Sequence, residues 1–401
     1  VILCWLCFRI ASLVLERAQA ALACAVFIVV FYGKLLNATH HWLSVLAVLA
    51  AIAVMMKASS PKRVALAGVL LGIACFFTQT RGIAAALGVA AYLVWERFRA
   101  GESWVACLRR QLLLLLTLAA AWAALSSYVI ARVGLGQLWY FQVTYVQRYM
   151  ISARNTFSLG TAEVLAWLGQ PGGISGVFVY LTLPTVYAIC LKKCWRNTAL
   201  INPQRIVLLA LVGLAMFMEV AQGPSWLRLY CVAVPATILL VWLLLDVAGR
   251  HRDVVMRLMW IGLIATACYQ SGYRHLRQST IEDLPAGRVA TTPLAAQKLA
   301  WLARHTTPGQ FVFQAAWPAI YLPLALRNPV FLDNLDTGHD IRPDYLQLSM
   351  RQLDAQQVQY VLWSPRLDSA DHPFAVFRQY LGERYQPVWA FADQDVLWER
   401  K

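Results

Sequence analysis

The sequence predicts a membrane all-α helical bundle over residues 1–271, with about ten transmembrane segments, followed by a small α/β domain over residues 272–401. Three observations predict it. Hydrophobic residues make up 60% of the chain, whereas a soluble globular protein is roughly half apolar. Apolar runs separated by basic loops fill the first two thirds. After Tyr273 the pattern changes to short helical and strand runs in alternation.

The apolar runs lie near Val1 to Phe8, Ala18 to Tyr32, Trp42 to Met56, Val64 to Phe77, Gly82 to Trp95, Leu112 to Ile130, Ile174 to Leu191, Ile206 to Val220, Trp226 to Leu245 and Leu258 to Tyr269. Several are short for a span of ~20 residues. Cytoplasmic loops gather Lys and Arg, which tests the count. Arg9 and Arg17, then Lys57, Lys62 and Arg63, then Arg97, Arg99, Arg109 and Arg110, then Lys192, Lys193, Arg196 and Arg205, then Arg250, Arg252 and Arg257 mark every second loop. The alternation places Asn37 to His41, Thr78 to Arg81, residues 133–173, Gln222 to Ser225 and the whole tail on the outer side. A multi-pass membrane protein with its tail on the outer, periplasmic side is the resulting expectation.

The formal net charge of +15 follows these loops. Basic and acidic residues balance beyond Arg274, and the acids before Tyr273 are Glu16, Glu96, Glu102, Glu163, Glu219, Asp246 and Asp253. The excess is therefore topological and implies no nucleic-acid partner. The nine cysteines all lie in or beside apolar runs. Cys4 and Cys7 have C-x-x-C spacing, and Cys190 and Cys194 lie one turn apart, but neither pair has the further ligands of a zinc site. Small apolar packing is expected of them, with no disulfide framework.

The long outer loop at 133–173 reads as a helix lying along the interface, with Trp139, Val143, Val146 and Met150 at helical spacing among Tyr140, Tyr145 and Tyr149. Gly68 and Gly72 form a G-x-x-x-G pair suited to close helix approach. In the tail, helices are expected near Pro293 to His305, Pro343 to Asp354 and Pro373 to Arg384. Strands are expected at Phe311 to Gln314, Val330 to Leu332, Val358 to Trp363, Val388 to Ala392 and Val396 to Glu399. No glycine-rich phosphate loop precedes any of these helices, so a nucleotide role has no support.

Polar residues at the outer mouth of a bundle must be satisfied by a partner, water or substrate. Four groups qualify. They are Asn37 to His41 with His40 and His41; Thr78 to Arg81; Arg148 with Arg154; and Glu219 with Pro224 to Arg228. Arg228 stands in the first turn of an expected helix, whose positive end would join it in binding an anion. The plainer alternatives are arginines that snorkel to lipid headgroups, histidines that are only polar loop residues, and a Glu219 that merely pairs with Arg228. Asp333, Asp336, Asp340 and Asp344 resemble a cation site but lack the Gly and closing Glu of a calcium loop, so a solvated loop is expected there.

The run LAGVLLGIACFFTQTRGIAAALGVAAYLV at Leu66 to Val94 resembles a recurring segment of glycosyltransferase family 39 type proteins, of the GT-C superfamily. These are relatives of protein O-mannosyltransferases and aminoarabinose transferases. A looser similarity runs through His41 to Ser44, through Pro224 to Leu229, and into the tail at Pro308 to Phe313 and Trp317 to Leu322. The resemblance implies an inverting membrane glycosyltransferase that moves a sugar from a polyprenyl-phosphate carrier to a lipid, glycan or protein acceptor. Arg81, Arg228 and Arg148 are then the phosphate candidates, and His40, His41 and Glu219 lie near the donor or acceptor. Some relatives use a divalent metal, but nothing in this sequence forms a ligand set; no cofactor is certain. The family's catalytic aspartate sits in the first outer loop between the first two helices, which is missing here. Because the chain opens on Val1 without methionine and its first run meets Arg9 early, an N-terminal truncation is expected, with that aspartate upstream. The rival expectation is a non-catalytic membrane protein, either a transporter or a degenerate relative that only binds lipid-linked sugar through its soluble domain.

Overall fold

The computed structural model describes residues 1–34, 39–57, 59–151, 173–196, 202–221, 226–335, 341–368 and 374–401. They form two compact units. One comprises Val1–Trp139 with Asn155–Cys268, and the other Tyr140–Arg154 with Tyr269–Lys401. The chain passes between them near the expected boundary at 271. The segment Tyr140–Arg154, assigned to the bundle from sequence, belongs to the tail unit.

The first unit is helical throughout its described length. In order it contains α1 (Ile2–Ala11), α2 (Arg17–Val26), α3 (His40–Met55), α4 (Pro61–Phe77), α5 (Gln79–Ala100), α6 (Trp104–Val133), α7 (Leu135–Trp139), α8 (Gly173–Arg196), α9 (Pro203–Ala221), α10 (Trp226–Cys231) and α11 (Val234–Ala248). The following α12 (Arg252–Arg277) leads into the tail. A π turn at Phe27–Phe31 extends α2. Each apolar run named from sequence falls in helix, but among the described residues fewer than about ten of these helices are long and apolar enough to span. Among the described residues four helices are long and apolar enough to cross a membrane: Trp104–Val133, Val177–Arg196, Pro203–Ala221 and Val234–Arg277, the last interrupted by a 3-10 turn at Gly249–His251.

The difference has physical causes. At 1.5 Å per residue, the 16 residues of α3 reach roughly 24 Å, against a hydrocarbon core of ~30 Å. The 22-residue α5 is long enough, but Arg81 at one end and Glu96, Arg97 and Arg99 at the other shorten its apolar part. The run Trp226 to Leu245 breaks in two because Pro235 stands in the first turn of α11, where it can supply no N–H to a preceding turn.

Helix contacts are close where glycines permit. A Cβ at Gly72 would lie 2.5 Å from the Leu118 carbonyl oxygen, and one at Gly68 would meet the Leu114 carbonyl at the same distance, so the G-x-x-x-G pair seats α4 on α6. Gly88 does the same for α5 against α9, where a Cβ would come within 2.6 Å of the Val212 Cα. The buried core of this unit includes seven cysteines, all free thiols.

In the tail unit, α7's continuation passes through π turns at Tyr140–Thr144 and Val146–Ile151. Beyond α12 come a hairpin of β1 (Thr280–Leu284) and β2 (Gly287–Thr291), then α13 (Pro293–His305), β3 (Val312–Gln314), α14 (Pro343–Ala355), β4 (Tyr360–Trp363), α15 (Ala375–Arg384), β5 (Tyr385–Ala390) and β6 (Val396–Arg400). The main sheet has the order β3-β4-β6-β5, with β3 parallel to β4 and the remaining pairs antiparallel. Phe313, Trp363, Phe377 and Trp398 pack in one core; Leu299, Leu302, Val312, Leu362 and Leu397 pack in another. Thr292 caps α13 through its side chain, and Pro293 follows at the first helical position, which fixes that helix start.

Two strand expectations change. Val330 to Leu332 is not a strand, because the Asn328 side chain takes the backbone groups a ladder would use, accepting from Val330 N and donating to Leu332 O. The last hairpin begins at Tyr385 instead of Val388, with a register shift between Pro387 and Trp389, as expected where a proline cannot donate to the ladder.

Candidate functional site

The candidate site is built on helix ends of the first unit. Thr39 is extended and starts α3, so His40 and His41 occupy its first turn, with Ser44 one turn on. At the junction of α4 and α5 a single residue, Thr78, separates the two helices; its extended backbone (φ −151°) ends α4 and begins α5. Thr80 and Arg81 therefore stand in the first turn of a 22-residue helix, beside its positive dipole end. Glu219 lies in the last turn of α9, and Arg228 is in α10.

Arg81 is the centre. It is 0% exposed. Its Nη1 donates to the His41 carbonyl and to Ser44 Oγ, each at 3.3 Å, and its Nη2 faces Glu219 Oε2 at 3.5 Å. Thr80 Oγ1 donates to Glu219 Oε1 at 2.7 Å, holding the carboxylate in place. Ser44 Oγ donates to the same His41 carbonyl at 2.8 Å. The rings of His40 and His41 lie 4.1 Å apart, and Arg228 is near enough to act on both electrostatically.

The hydrogen bonding of this cluster is incomplete. Among the described residues, Arg81 Nε and Nη2, His41 Nδ1, Glu219 Oε2 and the hydroxyls of Thr39 and Thr78 are buried with no hydrogen-bond partner. Buried polar groups are nearly always satisfied, and leaving one bare costs about 1–3 kcal/mol. Several such atoms at the same helix ends describe a place that solvent or a ligand completes. The set offers a guanidinium, an imidazole and two hydroxyls as donors and a carboxylate as acceptor, which suits an oxyanion joined to a hydroxylated group.

Of the residues named from sequence, the structure brings together Arg81, His40, His41, Arg228 and Glu219. Arg148 lies in the π turn Val146–Ile151 of the tail unit. Arg154, Asn37, Ala38, Pro224, Ser225 and Glu163 lie outside the described residues, as do Asp336 and Asp340. The plainer alternative paired Glu219 with Arg228; among the described residues its ion pair is with Arg81, because the short α4–α5 junction brings Arg81 to the end of α9. The helix of Arg228 has only six residues before the break at Pro235, so the anion-binding dipole expected there is small. Ser44 was missed as a site residue, although its i, i+3 spacing from His41 places both on one face. Asp344 is an ion-pair partner of Arg342. Among the described residues no group of three or more His, Cys, Asp or Glu converges, so the divalent metal has no ligand set there.

No protein-family model matches the chain, and no curated protein matches it.

Proposed function

We propose that this protein is a GT-C type membrane glycosyltransferase that moves a sugar from a polyprenyl-phosphate carrier to a lipid, glycan or protein acceptor on the outer face of a bacterial inner membrane. In this reading the shorter helices join the four long ones in a bundle of about ten spans, and the tail is periplasmic. One observation carries the proposal: a fully buried arginine keeps two nitrogens without hydrogen bonds, at helix ends that the alternation of Lys and Arg loops puts on the outer side.

As the glycosyl bond breaks, negative charge grows on the leaving phosphate. A guanidinium aimed at it binds the transition state more tightly than the ground state and so speeds the reaction. Arg81 and Arg228 supply that charge. His40 and His41 line the approach of donor or acceptor. Glu219, held by Thr80 and facing Arg81, is a positioning residue that orients the guanidinium. The second reading, a non-catalytic protein that binds lipid-linked sugar, rests on the same anion-binding cluster without turnover.

The test is sugar transfer from a polyprenyl-phosphate donor by the full-length protein. Loss of a charge-assisted contact that strengthens in the transition state costs about 2–4 kcal/mol. Arg81→Ala and Arg228→Ala are expected to slow transfer by at least ~30-fold, with Arg132→Ala as the unaffected control. Wild-type rates in both variants, with normal expression, would make these arginines lipid anchors. Tight donor binding with no transfer by the wild-type protein would favour the non-catalytic reading.

A further inference from the structure

The tail unit contains a second site of different chemistry. A groove of about 760 Å³ runs between β1, α13 and β5, within the range of small-molecule sites. Trp301 and Trp389 form its aromatic wall, their rings inclined by 25° with centroids 6.0 Å apart. Trp389 is 51% exposed. Ala300 adds a small side chain to the lining, and Glu282, Gln297 and Arg304 supply its polar edge.

Within the wall, Trp301 is held by neighbouring rings. His305 stacks on Trp301 at 3.8 Å and 10°, and Phe391 meets it edge-on at 5.9 Å. The turn that follows β5 is tied to α13 by Lys298, whose Nζ donates to Asp395 Oδ2 at 2.6 Å and also pairs with Asp393. Lys298 is buried, so this pin fixes the separation of helix and strand and with it the groove's width. Among the described residues the side chains of Glu282 and Gln297 make no hydrogen bond, and the Arg304 side chain bonds only within its own helix, at the Ala300 carbonyl. The rim is therefore available to a ligand.

We infer that this groove binds a saccharide, with a pyranose ring lying on Trp389 and its hydroxyls held by Glu282, Gln297 and Arg304. A pyranose has a flat face of C–H groups and a rim of hydroxyls. It needs an exposed aromatic plane with planar polar side chains at its edge, and the groove presents both. A nucleobase sandwiched between parallel rings does not fit, because the two indoles are too close and tilted to admit one. A phosphorylated ligand would want more positive charge than Arg304 beside Glu282 provides. The site is independent of the Arg81 cluster and of any transfer reaction.

Binding is read without turnover. The full chain, in lauryldimethylamine oxide to avoid sugar-headed detergents, is titrated by saturation-transfer NMR with cellotriose, maltotriose and chitotriose at about 2 mM, a weak-binding range. Sorbitol is the acyclic control and adenosine the nucleobase control. At least one trisaccharide is expected to receive saturation through its ring C–H protons, and Trp389→Ala and Ala300→Phe each lower it by about tenfold or more, a loss of ~1.4 kcal/mol. Gln297→Ala, an exposed change that leaves folding intact, lowers it several-fold. The inference is overturned if no trisaccharide binds, if binding survives all three substitutions, or if adenosine displaces the sugar. Sugar binding that persists while Arg81→Ala abolishes transfer keeps the two sites apart.

Discussion

Among the described residues the buried cations are Arg81 in the helical unit and Lys298 in the tail unit, and they are partnered differently. Lys298 has two carboxylates, Asp393 and Asp395, in direct contact. Arg81 faces one carboxylate at 3.5 Å and leaves Nε and Nη2 without hydrogen bonds. Removing a charge from water costs several kcal/mol unless partners restore it. A cation whose partners are complete is part of the scaffold. One whose partners are incomplete stays poised for something that arrives from outside, and this contrast separates the structural pin from the candidate site.

The contrast is broken most directly at Lys298. Taking away one member of a buried pair costs about 3–5 kcal/mol, because the other charges are stranded. Lys298→Met is expected to destabilise the tail unit by about 3 kcal/mol, near the low end because Asp393 is partly exposed. Backbone amides of Leu299 and Leu302 in α13 would then exchange with solvent roughly 100-fold faster. Added phosphate should not reverse the loss. Exchange at the wild-type rate would mean that Lys298 is no pin.

Glu219 sharpens the comparison from the other side. Glu219→Gln keeps an acceptor for Thr80 but removes the counter-charge of Arg81. Its thermal midpoint should fall, and a polyprenyl phosphate added at saturating level should restore it by more than it raises the wild type. Linkage sets the scale: a ligand at 100 times its Kd stabilises by about 2.7 kcal/mol. Equal shifts in the two proteins would show that the anion does not replace the carboxylate at Arg81.

Much of the scaffold was legible locally. Helix α13 was placed to the residue because Thr292 and Pro293 signal its start in neighbouring positions. The Gly68 and Gly72 spacing announced a close helix contact, though not that α6 fills it. What escaped depended on distant partners. Hairpin β1–β2 was missed since Thr280-Ile281-Glu282-Asp283-Leu284 shows little apolar alternation, and its pairing across Ala286 is what orders it. The members of the Arg81 cluster were named separately because each ends an apolar run. Their convergence, and the choice of Arg81 over Arg228 for Glu219, required knowing that α5 packs on α9, which no local spacing encodes.

A third cation marks the weak end of the comparison. Arg342 lies at the surface of the tail unit, where its Nε and Nη2 donate to Asp344 at 2.8 and 2.5 Å and its Nη1 donates to the Tyr140 hydroxyl at 2.8 Å. The hydrogen bond from Arg342 holds the Asp344 carboxyl below its usual range. The sign follows from linkage: a depressed carboxyl pKa stabilises the fold above the unfolded value of about 3.9, and the contribution is lost as pH falls through the lower folded value. Water screens this pair, unlike those of Lys298 and Arg81, so Asp344→Asn should lower the unfolding midpoint only slightly at pH 7. The difference from wild type should shrink towards pH 3 and also in about 0.5 M salt, where the screening length falls to a few ångströms. If Asp344→Asn instead costs as much as Lys298→Met, geometry and not burial decides what an ion pair contributes here, and Arg342 would join Lys298 among the structural pins.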